Sequence, residues 1–409
     1  MPAGNDEARI TNHERSTNAG MTKERSDTSS RNSDFLIRST ADIRHSSFPK
    51  NLIATVAGVS ELVAQVEPAD RVAIDTEADS LHCYREKLCL IQISSGECDY
   101  IVDPLANVDL EPLRHGLAEK EIVLHGADYD LRLLRRDLNF VPRKVFDTVI
   151  AARLIGIREF SLAALVKKYF SVELTKGSQK ANWAQRPLPA RMAEYAINDT
   201  HYLLPMAARL EGELDRHRRL EWFRQSCERA LEQAATDRVR DLDEVWRISG
   251  AGALRGRAAA VLRELWRWRE KEAEAVDRPP FHILQNQELL KSAEGFVAGK
   301  VPDYRHFSDR RRRAFREAAE RALQLPERDW PARPHRSGTR PTAEIVRRSD
   351  ELRRQRDRAA KDLDLESSFV APRATLEAIA ADETRAGALL VPWQQQLLGI
   401  SEARDQHDD

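Results

Sequence analysis

Only four cysteines stand in the 409 residues, Cys83, Cys89, Cys98 and Cys227, and no two form a C-x-x-C pair. That scarcity excludes a disulfide-stapled framework, argues against a zinc site and fits a reducing cytoplasm. No stretch approaches the roughly 18 consecutive apolar residues of a membrane span. No apolar run follows Met1 or Met21 either, so neither a membrane protein nor a secretory signal is expected. An excess of one charge is also missing. With 65 Lys and Arg against 66 Asp and Glu, the formal charge is -1, and any surface that grips nucleic acid must be local. No G-x-x-x-x-G-K-[ST] occurs, which leaves no P-loop motor. Residues 1–34 have almost no large apolar side chains and read as a disordered tail. Asp6, Glu7, Glu14, Glu24 and Asp27 within it count against an organelle transit peptide.

What is present is a globular composition, 41% hydrophobic and 32% charged, long enough for two or three domains. From about Phe35 to Ala208, short β-branched runs mix with helical segments. "RVAID" (71–75), "LCLIQIS" (88–94) and "DYIVDP" (99–104) read as three strands of an antiparallel meander. "LEPLRHGLAE" (110–119) reads as a crossover helix and "EIVLHG" (121–126) as a fourth strand, which makes the sheet mixed. Beyond Ala208 the strands stop, and Arg/Glu/Ala/Leu segments at helical spacing take over, punctuated by Pro279, Pro280, Pro302 and Pro326. A Pro/Arg-rich stretch at 326–341 reads as a linker. The segments 265–293 and 352–380 repeat one pattern: Leu265 aligns with Leu352, Arg269 with Arg356 and, through one-residue gaps, Phe281 with Phe369 and Leu289 with Leu376.

Within the α/β part, carboxylates recur at element ends. Asp75 and Glu77 lie two apart on a strand, so both leave the same face. Anions held so close repel, which raises a pKa or calls for a cation. In "LHGADYDLRLLRRD", Asp128, Asp130 and Asp137 occur together. Asp130 stands where a helix begins, and its plain reading is a helix cap; His125 before it reads as hydrogen-bonded scaffold. In "MAEYAINDTHYLLP", Tyr195 and Asp199 fall at i and i+4 on one helix face. Singly, each has a structural explanation.

Together, D-x-E on a strand, D at a helix head and Y-x-x-x-D on a later helix resemble the DEDDy group of 3′-to-5′ exonucleases. The flanking "YREKLCLIQISSGECDYIVDPL" and "KGSQKANWAQRPLPARMAEYA" are similar to the ribonuclease D family, and "KVFDTVIAARLIG" sits where that family has a strand and helix. The likeness covers about residues 50–205. It implies a ribonuclease H-like α/β exonuclease domain with a mixed sheet. It also implies that Asp75, Glu77, Asp130 and Asp199 ligate two divalent ions, Mg²⁺ or Mn²⁺, while Tyr195 orients the attacking water. Carboxylates suit hard cations that take oxygen ligands, and two such ions can stabilise the attacking and leaving oxygens of a phosphodiester. Glu194 and Asn198 face elsewhere. Asn182, before Trp183, departs from the family's usual acidic residue and puts contacts at the substrate end in question.

"WRWREKEAEAVDRPPFHILQNQELL" resembles the helicase-and-RNase-D C-terminal (HRDC) domain. There Trp266, Trp268, Phe281 and Leu289 read as core rather than base-stacking residues. The expected layout is a tail at 1–34, the exonuclease domain at 35–210, an HRDC helical domain at 211–325, a linker at 326–343 and a second HRDC-like helical module at 344–409. Arg310 to Arg313 offer a phosphate-binding run. The resemblance implies a cytoplasmic 3′-to-5′ exoribonuclease trimming tRNA precursors and other small structured RNAs. The spacing of four carboxylates does not separate RNA from DNA, so a DNA-directed exonuclease of the same superfamily stays open, as does a catalytically idle nucleic-acid clamp.

Overall fold

A computed structural model of the chain describes residues 52–175, 177–236, 244–300, 302–332 and 341–400. The disordered tail expected at 1–34 and part of the linker lie outside them. Six strands form one mixed sheet: β1 (Leu52–Ile53), β2 (Arg71–Ala78), β3 (Leu88–Ser95), β4 (Cys98–Val102), β5 (Glu121–Leu124) and β6 (Lys144–Asp147), in the order β1-β4-β3-β2-β5-β6. The β2-β3-β4 meander is antiparallel, and β5 joins β2 in parallel, as the sequence pattern predicts. β6 then joins β5 and β1 joins β4, both in parallel. Two-residue β1 has no periodicity to read. Central β3 is buried along all eight residues, which explains its continuous apolar run: both of its faces are covered.

The helices of this domain are α1 (Val56–Val66), α2 (Glu111–Leu117), α3 (Asp128–Leu138), α4 (Thr148–Leu154), α5 (Leu162–Phe170), α6 (Ala190–His201) and α7 (Leu203–Arg216), followed by α8 (Leu220–Ala235). Thr55 and Ser161 start α1 and α5 by accepting the N–H of Gly58 and Ala164. Val72, Ile74, Ile91, Ile93 and Ile122 pack one sheet face against Leu62 of α1, Leu113 of α2 and Leu131 of α3. On the other face, Cys89, Leu90 and Ile101 meet Met192, Ala193, Ala196 and Ile197 of α6, with Trp183 closing the layer. The sheet is thus a rigid plate with α6 on one side and α3 on the other.

The C-terminal half is helical: α9 (Gly256–Ala275), α10 (Pro280–Ile283), α11 (Asn286–Val297) and α12 (Asp309–Leu323), then α13 (Ala343–Asp362), α14 (Ser367–Val370), α15 (Arg373–Ala381), α16 (Ala386–Leu389) and α17 (Pro392–Leu397). α9–α11 and α13–α15 have the same build. Arg269 Nη1 donates to the carbonyl of Leu284 at 3.2 Å and Arg356 Nη1 to that of Ala371 at 3.1 Å, each carbonyl ending the one-turn helix. Asp277 and Asp364 follow the long helices with φ of 45° and 52°. The correspondence runs without gaps and sets Phe281 against Ser368, not Phe369. Trp268 and Leu289 are core, but Phe281 is 46% exposed, against the core reading of its sequence. The buried position of that turn is Ile283, matched by Val370. Among the described residues no helix is long and apolar enough to cross a membrane.

Candidate active site

The D-x-E pair sits within β2, which continues past Asp75 to Ala78 with a register shift at Glu77/Ala78. Alternation sends Asp75 and Glu77 toward α6 and Thr76 between them toward α3. α6 carries Tyr195 and Asp199 one turn apart over the same face. Carboxylate oxygens of Asp75, Glu77 and Asp199 lie within 4.8 Å of one another. Asp130 approaches from the other side. It is 6% exposed, and its Oδ1 accepts the Thr76 N–H at 3.1 Å and the Thr76 hydroxyl at 2.5 Å. Thr76 therefore ties the second motif to the first, and nothing in its spacing announces that duty.

Asp130 is not the cap its position suggests. α3 begins two residues earlier, at Asp128, after Ala127, which makes no side-chain cap. The turn into it is held by Asp147 instead, whose carboxylate accepts from Gly126 N at 3.1 Å and Ala127 N at 2.9 Å, and from Val149 N at 2.8 Å at the head of α4. Gly126 makes this turn at φ 80°, where a side chain would be strained. Freed from capping, Asp130 can face the cluster. Asp128 pairs with Arg132 at 2.8 Å and Asp137 accepts the Leu88 N–H at 2.8 Å, so neither joins the site. His125 is scaffold, 2.8 Å from the Thr148 hydroxyl.

Burial dominates the electrostatics, with mutual repulsion second. Asp75 is pushed well above the ordinary carboxylate range by burial and then by Asp130, Asp199 and Glu77. Burial followed by Asp199 and Asp130 raises Glu77 to about 9. Burial with Asp130 lifts Asp199 to about 8. Asp130 reaches only about 6, because its bonds to Thr76 favour the charged form. The strongest charges acting on Asp75 are all carboxylates, an arrangement that favours a bound cation. All-oxygen donors at this separation fit a hard divalent cation. Burial also pushes the Tyr195 phenol up, with Asp199 adding to it, so it stays protonated; its ring packs on Trp183, centroids 6.0 Å apart.

Tyr195 and Asp199, with Ser161, Leu174, Thr175 and Gln179, line a pocket of about 380 Å³, within the range of small-ligand sites. Its rim is the segment leading into α6. Arg186 pins that segment to the sheet through Asp103, at 2.6 and 2.7 Å, and through the carbonyl of Cys89, while also bonding the carbonyl of Trp183 within the segment. Arg186 carries no sequence signature of this role. Asn182 is exposed and its Oδ1 accepts the Ala184 N–H at 3.2 Å, making it a turn former.

Comparison with known proteins accords with this geometry. The 3′-5′ exonuclease family matches residues 51–215 and the HRDC domain residues 258–295. A ribonuclease D of Desulfotalea psychrophila is 30% identical over 249 residues, 60% of this chain and just under two thirds, 66%, of that relative. Another, from Sphingobium indicum, is 27% identical over 85% of this chain and 92% of its own length. Escherichia coli RNase D, described as an exoribonuclease involved in structured RNA processing, has the same fold with a TM-score of 0.62 at 23% identity, covering 85% of this chain and 98% of that one. The chain thus carries a 3′-5′ exonuclease domain followed by an HRDC domain, and it is similar in sequence to several ribonucleases D, the matches spanning 66% and 57% of the length of two of them.

Proposed function

We propose that the protein removes nucleotides one by one from the 3′ end of structured RNAs in the cytoplasm, tRNA precursors among them, by phosphodiester hydrolysis. The observation that carries the reading is the gathering of Asp75, Glu77 and Asp199 within 4.8 Å beside Tyr195. In this reading Asp75, Glu77, Asp130 and Asp199 hold two divalent ions, Mg²⁺ or Mn²⁺, which supply Lewis-acid activation of water and stabilise charge on the leaving oxygen. The chain's own residues do the rest. The carboxylates release the protons that burial keeps on them and take up the ligand role on a rigid strand and helix. The Tyr195 hydroxyl, both donor and acceptor, aligns the water. The pocket beside it receives the terminal nucleotide, and the pinned segment ahead of α6 forms its wall. Residues 35–210 act as the catalytic domain, while 211–325 and a second HRDC-like module at 344–409 present the RNA.

Incubation of the full chain with a 5′-labelled tRNA precursor bearing a 3′ trailer, and with a matching DNA strand, tests this directly. Shortening of RNA that needs both Mg²⁺ and Asp75, and is lost with EDTA or in Asp75→Asn, is the expected result. Preference for DNA would move the assignment to the DNA-directed branch of the superfamily. Binding without shortening would make the protein a clamp.

A further inference from the structure

One side chain in the plane of the site is left without a chemical reason. Gln92, in the middle of β3, is fully buried, and neither its Oε1 nor its Nε2 has a hydrogen-bond partner. A buried amide in that state is costly, and a leucine or methionine would suit the surrounding layer better. β3 pairs with β2 so that Gln92 stands directly opposite Asp75. Paired residues of an antiparallel ladder share a face, with Cβ atoms about 5 Å apart, so both side chains rise toward α6. Its other neighbours within the sheet offer it no partner. On the far side Gln92 faces Ile101 of β4. The next residue along its own face, Ser94, already bonds Asp99 at 2.6 Å and Thr200 at 2.7 Å. Within the ladder, the polar group opposite the amide is the Asp75 carboxylate.

We infer that Gln92 is a positioning residue whose amide N–H donates to Asp75 once a divalent cation occupies the site, fixing the rotamer of that ligand from behind. The residue type suits the task. A lysine or arginine here would neutralise Asp75 and repel the incoming cation, whereas an amide donates a hydrogen bond while adding no net charge. Backing of this kind typically changes metal affinity 10–100-fold. The inference rests on Asp75 being a metal ligand.

The test is calorimetric titration of Mn²⁺ into EDTA-stripped full-length protein, so that the readout is independent of turnover. Gln92→Met removes the amide at nearly constant length, and Gln92→Asn keeps an amide but withdraws it by one methylene. Both are expected to bind Mn²⁺ at least about tenfold more weakly than the wild type. The Met variant should at the same time melt, without metal, no lower than the wild type, because it no longer buries an unpaired amide. A residue that merely fills space predicts the reverse, unchanged Mn²⁺ binding, and affinity within twofold of the wild type in whichever variant folds overturns the inference. Asp75→Asn run alongside separates the two layers. If it binds Mn²⁺ as the wild type does, the ligand assignment itself falls; if it loses Mn²⁺ while the Gln92 variants keep it, only the role of Gln92 falls.

Discussion

Asp75, Glu77 and Asp199 are held together against their own repulsion, and that tension is measurable. Glu77, at about 9, and Asp199, at about 8, titrate in the folded protein far above the 4.5 and 3.8 of ordinary carboxyls. The folded chain therefore holds more protons than the unfolded one between about pH 4 and pH 9. By linkage, metal-free stability from these groups is fully present below that window and lost as pH rises through 8 to 9. The melting temperature in EDTA should fall from pH 6 to pH 9, and the fall should be smaller in Asp199→Asn, which loses one titrating group and relieves the others. Saturating Mg²⁺ should flatten the wild-type curve, since the cation then replaces the protons. Equal falls in wild type and mutant would show that the cluster is not strained in this way.

At the level of elements, Asp147 holds two starts at once: the turn from β5 into α3, through Gly126 and Ala127, and the first turn of α4, through Val149 and Ile150. It is 4% exposed. Asp147→Ala should cost about 2 kcal/mol, the upper end for a cap, with further loss from buried N–H groups left unpaired. Urea unfolding followed by circular dichroism measures it, and a loss under about 0.5 kcal/mol would contradict the double role. This residue also marks how far the sequence can be read. Alternation, apolar runs and the i, i+4 pair of Tyr195 and Asp199 rest on local geometry, and they foretell the meander, the crossover and the carboxylate faces. Asp147, Thr76 and Arg186 act across 20, 54 and 83 residues, and no periodicity encodes a partner that distant. Asp130 reads as a cap for that reason, because its competitor lies elsewhere in the chain. Phe281 shows the same limit: its exposure depends on which side of a one-turn helix faces the core.

Across the whole molecule, both helical modules meet the exonuclease domain through the same corner. In the last turn of α9, Glu274 pairs with Arg85 at 2.7 Å, and just beyond the helix Asp277 accepts the Tyr84 N–H at 3.1 Å. After α13, Asp364 pairs with Arg158 of that domain at 2.7 Å, and the Leu363 carbonyl accepts from Arg219, at the head of α8, at 2.8 Å. The contact of the first module falls on the loop leaving β2. In that module the arginine run divides by duty. Arg310 and Arg311 both bond Glu272, whose side chain is 8% exposed, at 3.1 and 3.0 Å, and Arg312 pairs with Asp309. Arg313 and Arg316 are exposed on the same helix. Replacing Arg313 and Arg316 with Ala should leave the melting temperature unchanged and lower the salt slope of RNA binding by about 0.7 for each phosphate no longer neutralised. Arg311→Ala should instead destabilise the module, because it removes the more buried of the two cations that bond Glu272. An unchanged slope in the double mutant would leave the run a purely structural feature. Direction and step size of cleavage distinguish a 3′-to-5′ exonuclease from every other nuclease. A 5′-labelled RNA with a defined 3′ extension, followed in Mg²⁺ at single-nucleotide resolution, should shorten as a ladder of one-nucleotide steps from the 3′ end, with release of nucleoside 5′-monophosphates. A single internal cut, or degradation from the 5′ end, would contradict it.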